Sequence, residues 1–425
     1  MANRNLSVWQ VASLLISTSC GIGFLMGTGE LALRQGMAAC LYAVASAIGL
    51  LALGLIAPQL WATGQSIWTR FDLRYGSTVS RQVAFLSLIW MTGVLSAQIR
   101  GASSVLAMSG VPHAISIFVV DCLVVGLSFL RLSWLSGVLA LCIGGCNVIL
   151  AYTLIKAHGL AIWLHAPANF LESMRLPSLD HSGMTFLSVV ALVICGADYQ
   201  QFPIASSTPI GARLGCLLAA VVVFAMGFLP ASAVIANAEL WHLRAVADPV
   251  QIIPHMLTLV LGHANGSSLA FAIAALITAA LGSACSIVRA TSDAMVALWH
   301  RQQYPSALNR VLSVCAATLV TARGQSIIDT MVMLNVVYLA SVGPLLGLTL
   351  LGRHVTAHAA RRSMMTGFTI AMACYLVLWI HAGHLPESMP LILAWPCAFV
   401  EALRSKAPTG IDDSASAPLN QSSSG

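Results

Sequence analysis

This sequence predicts an all-α polytopic membrane protein, and three observations carry that expectation. The first is composition: 58% of the 425 residues are hydrophobic and 8% are charged, against about 25% charged in an ordinary soluble domain. The second is length, because a helix needs roughly 20 apolar residues to cross a bilayer and such runs recur along the whole chain. The third is where the cations fall. With the N-terminus inside, thirteen of the 20 Lys and Arg lie in cytoplasmic segments. Five lie outside (Arg34, Lys156, Arg175, Arg244 and Arg323), and two, Arg100 and Arg289, lie within spans. That asymmetry obeys the positive-inside rule and places both termini in the cytoplasm. The net charge of +6 therefore reflects topology, not a nucleic-acid surface.

About twelve spans are expected, near 8–30, 37–60, 83–108, 113–130, 134–155, 184–202, 213–236, 266–298, 309–322, 326–351, 364–382 and 388–403. The first holds the most informative run. Leu14 to Leu31 is apolar enough to enter lipid, yet Gly21, Gly23, Gly27 and Gly29 crowd its second half and Glu30 follows. Unpaired backbone groups are costly in hydrocarbon, so non-helical backbone survives there only where it lines a protein cavity. A helix broken in mid-membrane is how secondary transporters build cation and substrate sites. A glycine-rich helix packed closely against its neighbours explains the same residues. The sixth span also stops early, at Val193 to Pro203 through Gly196, Asp198, Gln200 and Gln201. Five spans separate the two interruptions, an odd number that reverses orientation, as an inverted repeat requires.

The connections are polar. Two longer ones, 156–183 and 237–265, fall outside and are expected to form short helices capping the outer face; 61–82, 203–212, 299–308 and 352–363 face the cytoplasm. All eleven cysteines fall in predicted spans and read as small buried hydrophobes, not as a disulfide framework. Nine of the 12 histidines lie on the outer side without a ligand-like spacing, so scattered interfacial residues are expected in preference to a metal site. The N-terminus has no basic cluster and no small-residue cleavage site, so no cleavable signal is expected. A Ser/Pro/Asp-rich tail, 404–425, is expected to be a disordered cytoplasmic extension.

Several segments together resemble the sodium:solute symporter family of the APC superfamily. They are the glycine-interrupted first helix with its Gly27-Thr28-Gly29 exit, Asp72-Leu73-Arg74-Tyr75-Gly76-Ser77, Gln98 with Gly101, Ala197-Asp198-Tyr199-Gln200-Gln201 ahead of Gly211-Ala212-Arg213, Ala279 to Ser286, and Gly343-Pro344 with Gly347. The resemblance runs from about residue 8 to 382. It implies a LeuT-type fold of two inverted five-helix repeats, about 8–156 and 184–351, with two peripheral helices, 364–403, in a single transmembrane domain over 1–403. It also implies sodium-driven uptake of a small polar or zwitterionic solute by alternating access, in a bacterial inner membrane. Sodium is then the coupling ion, and no other cofactor is expected.

Carried over by position, the resemblance puts substrate at Cys20, Gly21, Gly23, Gln98, Cys195 and Gly196. It puts sodium on carbonyls near Ser17 and Cys20, the Ala279 carbonyl and the Ser283 hydroxyl. Oxygen ligands are what a hard cation takes. The chain departs from the family at Gly282, where one of two adjacent hydroxyls is usual, so one oxygen ligand is lost unless water or Thr18 replaces it. The intramembrane charges Arg289 and Asp293, four residues apart, can pair on one helix face. They read as a structural pair, an inner gate, or a proton site substituting for sodium. Asp293 falls within about 20° of Ser286 and roughly 10 Å further toward the cytoplasm. Glu30 with Arg34, Arg100 and Asp198 are further gating or coupling candidates, and Asp121 is a possible answer to Arg100. No catalytic triad, phosphate loop or metal motif is evident, so an enzyme is not expected. A proton-coupled carrier, a facilitator and a non-transporting sensor on the same fold stay open.

Overall fold

The computed structural model describes residues 4–130, 132–175, 179–246, 248–262, 266–299, 306–321, 327–380 and 388–404. The tail beyond Arg404 lies outside the described residues. The chain opens with Ser7, whose hydroxyl caps Gln10 N–H while the Gln10 side chain returns to the Ser7 amide. This reciprocal cap starts α1 (Val8–Ser19). Extended backbone at Gly21, with φ −62° and ψ 172°, separates α1 from α2 (Ile22–Gln35). The run from Leu14 to Leu31 is thus not one continuous helix. A 3-10 turn, Gly36–Cys40, leads into α3 (Leu41–Thr63).

Next come α4 (Ile67–Tyr75), α5 (Ser77–Ala107), α6 (His113–Leu127) and α7 (Leu132–Lys156). Gly76, between α4 and α5, has φ +84°, the left-handed region where a Cβ is strained; the Arg74-Tyr75-Gly76 turn therefore depends on glycine. Two short helices, α8 (Leu160–Leu164) and α9 (Ala166–Ser173), occupy the first outer connection. The second break follows: α10 (Leu179–Cys195) and α11 (Ala197–Ile204) meet at extended Gly196 with φ −70° and ψ 128°, and their axes bend by 42°. Then α12 (Pro209–Gly227), α13 (Leu229–Asn237), α14 (Ile252–Gly262), α15 (Gly266–Trp299), α16 (Ser306–Thr321), α17 (Ile327–Leu350), α18 (Ala357–Ile380) and α19 (Met389–Leu403) complete the chain.

Among the described residues, five helical stretches are long and apolar enough to cross a membrane, and the bent α10–α11 pair makes a sixth. The rest of the twelve expected spans fall on shorter apolar helices, on the α1–α2 pair, or on α18. The chain is a multi-pass membrane protein. α15 lies along α5, α3 packs against α10 and α12, and α1 against α12 and α7. α17 holds α18 and α19 at the periphery.

The buried-cysteine expectation needs correction. All eleven are free, but Cys122, Cys315 and Cys397 are exposed. They stand on the outer faces of α6, α16 and α19, where lipid replaces protein as the apolar neighbour, so a span position does not imply protein burial.

Candidate functional site

The first break is assembled from four helices. Where α1 ends, its last carbonyls lose their helical N–H partners, and where α2 begins its first amides are equally exposed. Gln98, from α5, answers one of them: Gly23 N–H donates to Gln98 Oε1 at 3.3 Å. The approach leaves no room for a side chain at Gly21. A Cβ there would lie 2.9 Å from both amide atoms of Gln98 and 3.1 Å from Ser283 Cβ on α15. Gly21, Gly23, Gln98 and Ser283 are therefore brought together, although 262 positions separate Gly21 from Ser283.

The second break is closed differently. The Cys195 carbonyl accepts from Tyr338 Oη of α17 at 3.1 Å, and the Ile194 carbonyl accepts from Gln200 Nε2 at 2.7 Å. Asp198 sits at the second position of α11 and is 1% exposed. Its Oδ1 accepts the Tyr199 amide at 2.9 Å, so the N-terminus of this half-helix meets an internal carboxylate. α11 packs against both α1 and α3, which links the two breaks across the interior. At the end expected to be cytoplasmic the two broken helices are also tied by main chain: Leu6 N–H donates to Ala205 O at 3.1 Å and Ser207 N–H to Leu6 O at 2.9 Å.

The oxygens proposed for a cation have distinct environments. Ser17 and Ser283 are each 1% exposed, and neither hydroxyl has a hydrogen-bond partner among the described residues. Ser286, by contrast, donates to Ser283 O at 2.8 Å. Thr18 donates back to Leu14 O at 3.0 Å and is only half-buried. Ala279 is fully buried in the continuous helix α15; a carbonyl engaged in a helix keeps a second lone pair. Cys20 is buried and its amide donates to Ile16 O at 2.7 Å.

The expected Arg289–Asp293 pair does not form. Arg289 Nε donates to the carbonyl of Ser128, at the end of α6, at 2.9 Å, and that acceptor on a neighbouring helix wins over the carboxylate one turn away. Asp293 faces a cavity of about 450 Å³ instead, together with Gln65, Ser66, Thr69, Gln200 and Gln201. The cavity also touches Ala197, so it reaches from the α3–α4 connection to the second break. Asp121 Oδ2 accepts from Thr318 at 2.8 Å. Arg100 and Glu30 are both half-buried, on α5 and at the end of α2, with Arg34 exposed one turn beyond. Among the described residues no three His, Cys, Asp or Glu converge as a metal-ligand group.

Sequence reasoning missed Tyr338, Trp90 and Asn335. Trp90 and Tyr338 have ring centroids 5.6 Å apart, and the Trp90 indole N–H has no partner. Asn335, one turn before Tyr338, is 0% exposed with neither end of its amide bonded. The signal was available, because a lone amide in the middle of an apolar span is itself a site hypothesis.

No protein-family model matches the chain, and no characterised protein matches it by sequence. Solved structures do match in fold. A Na+-coupled sialic acid symporter in a substrate-bound outward-open state superposes with a TM-score of 0.72 at 14% identity, over 94% of this chain and 89% of that one. Mhp1, a nucleobase-cation-symport-1 family transporter closed around bromovinylhydantoin, gives 0.61 at 14% identity over 94% and 92%. The Eremococcus coleocola manganese transporter gives 0.58 at 14% identity over 93% and 92%. The architecture is the LeuT-type fold that the sequence resemblance implied.

Proposed function

Proceeding from that shared fold, we propose that the chain is a secondary active transporter that imports a small polar or zwitterionic organic solute by alternating access, coupled to sodium. The observation that carries this reading is the pair of helix breaks, whose peptide groups meet Gln98, Tyr338, Gln200 and two unpartnered serine hydroxyls in the interior. Solute is held between Cys20–Gly23 and Cys195–Gly196, with Gln98 positioning the first break. Sodium sits near Ser17 and Cys20 on one side and Ala279 and Ser283 on the other. The cavity on the α3–α4 side is the release path, and both termini face the cytoplasm of a bacterial cell.

A second reading keeps the fold and the solute site but uses protons. It is favoured by Gly282, which withholds an oxygen, and by Asp293, which faces the cavity without a basic partner within ion-pair distance among the described residues. Uptake into proteoliposomes under separately imposed sodium and pH gradients decides between the two. Acceleration by sodium alone supports sodium coupling, acceleration by the pH gradient alone supports protons, and binding with no flux under either would convert the protein into a sensor. A thermal-shift screen of candidate solutes, with and without sodium, identifies the cargo.

A further inference from the structure

A second polar recess lies apart from both breaks, where the end of α3, α4 and the end of α17 converge. It encloses about 620 Å³ and is lined by Arg70, Arg74 and His354, with Thr63 and Thr349 between them and Leu73 and Leu350 at its apolar edge. None of its lining residues is acidic. Asp72, two residues from each arginine, forms no ion pair within 4.0 Å among the described residues. Arg70 spends one Nη on the Thr63 hydroxyl at 3.2 Å, and its Nε is buried without a partner among the described residues. Burial lowers the pKa of Arg70 from its usual value, and no carboxylate offsets that cost. Arg74 donates to the Arg353 carbonyl at 2.6 Å, which anchors the guanidinium at the recess while leaving its other N–H groups available. Behind them Tyr75 Oη and Thr349 Oγ1 lie 2.9 Å apart and clamp α4 to α17.

We infer that this recess binds the phosphate of an anionic phospholipid headgroup. A half-buried guanidinium with unused donors matches a phosphate, and basic pockets between helices at the cytoplasmic side of a membrane protein are where anionic headgroups dock. A lipid is favoured over a soluble phosphate because the recess is edged by leucine: Leu73 is 70% exposed, and with Leu350 it offers an apolar start for the acyl chains. The bound headgroup bridges α4, the link between α3 and the long helix α5, to the end of α17. It acts on the carrier without touching the solute site.

The test uses the full-length purified protein in detergent, titrated with short-chain phosphatidylglycerol, with phosphatidylcholine of the same chain length, and with inorganic phosphate. Phosphatidylglycerol is expected to raise the unfolding temperature saturably, and the other two to leave it unmoved. Removing one of the cations is expected to weaken the apparent affinity about fivefold, and Arg70→Gln with Arg74→Gln about 25-fold. His354→Ala, at an exposed position, is the milder variant should the double arginine variant not fold. Arg213→Gln removes an equal charge elsewhere on the same end of the bundle and is expected to change nothing. An equal response to inorganic phosphate overturns the lipid assignment. An undiminished phosphatidylglycerol response in the arginine and His354 variants, or an equal loss in Arg213→Gln, overturns the site.

Discussion

Replacing Ser283 by alanine separates a cation ligand from a packing serine, because the two roles predict different outcomes. Ser283 is 1% exposed, and its hydroxyl has no partner among the described residues. Leaving a buried donor or acceptor unsatisfied costs about 1–3 kcal/mol. In sodium-free protein that cost is present in the wild type and absent in Ser283→Ala, so the variant is expected to unfold at a higher temperature than the wild type. With sodium the order changes. An oxygen bonded to a charged partner contributes about 1.5–3 kcal/mol, so its loss weakens sodium binding at least about tenfold. Sodium at 100 times its Kd stabilises a protein by about 2.7 kcal/mol, and a tenfold weaker site leaves about 1.4 kcal/mol at the same concentration. Unfolding curves at zero and saturating sodium, together with the sodium dependence of uptake in proteoliposomes, measure both effects. Stabilisation without sodium and a right-shifted sodium curve support the ligand role. An unmoved sodium curve would refute it, whatever the stability does.

Three further substitutions test the rest of the site. Gly21→Ala forces a methyl to within 2.9 Å of the Gln98 amide; overpacking of this kind costs about 1–3 kcal/mol, and uptake is expected to fall at least about tenfold, whereas near-normal uptake shows that the Gln98–Gly23 contact is dispensable. Tyr338→Phe removes the bond to the Cys195 carbonyl and is expected to cost about 1 kcal/mol of stability and to raise the solute KM, with an unchanged KM removing Tyr338 from the site. Asp293→Asn keeps the cavity lining but cannot carry charge, so the pH profile of uptake is expected to flatten while KM at the optimum stays near wild type. A profile that keeps its shape excludes Asp293 from coupling.

The positions of the breaks were legible in the sequence because the signal is local. Glycine is the residue that least favours a helix interior after proline, and at Gly21 and Gly196 it stands inside otherwise span-like runs. What closes those breaks was not legible. Tyr338 reaches a carbonyl 143 residues away and Gln98 an amide 75 residues away, and no local periodicity encodes such partners in helices apolar on every face. Arg289 shows the converse failure. Its spacing from Asp293 suggested a pair, but the four-residue rule describes an isolated helix, and inside a bundle the Ser128 carbonyl of α6 was available. With Arg289 engaged elsewhere, Asp293 faces the cavity beside Gln200 and Gln201.

The two breaks are unequal, and the inequality assigns their roles within the proposed mechanism. At the second, Tyr338 and Gln200 answer the carbonyls of Cys195 and Ile194, and Asp198 meets the amide of Tyr199. Among the described residues Gln200 Oε1 is left there without a partner, but the two carbonyls are answered, and the carboxylate at the half-helix N-terminus opposes a second anion. At the first, Gln98 answers only the amide side, while Ser17 keeps a bare hydroxyl oxygen on α1 and Ser283 another on α15. A cation is drawn to uncommitted oxygens, because each one it engages relieves a desolvation cost already present in the fold. Sodium is therefore expected at the first break, with the solute spanning the space between it and Asp198. If the assignment holds, Ser17→Ala shifts the sodium curve in the same direction as Ser283→Ala, and Gln200→Ala leaves it in place. A shift in Gln200→Ala with none in Ser17→Ala reverses the roles of the two breaks.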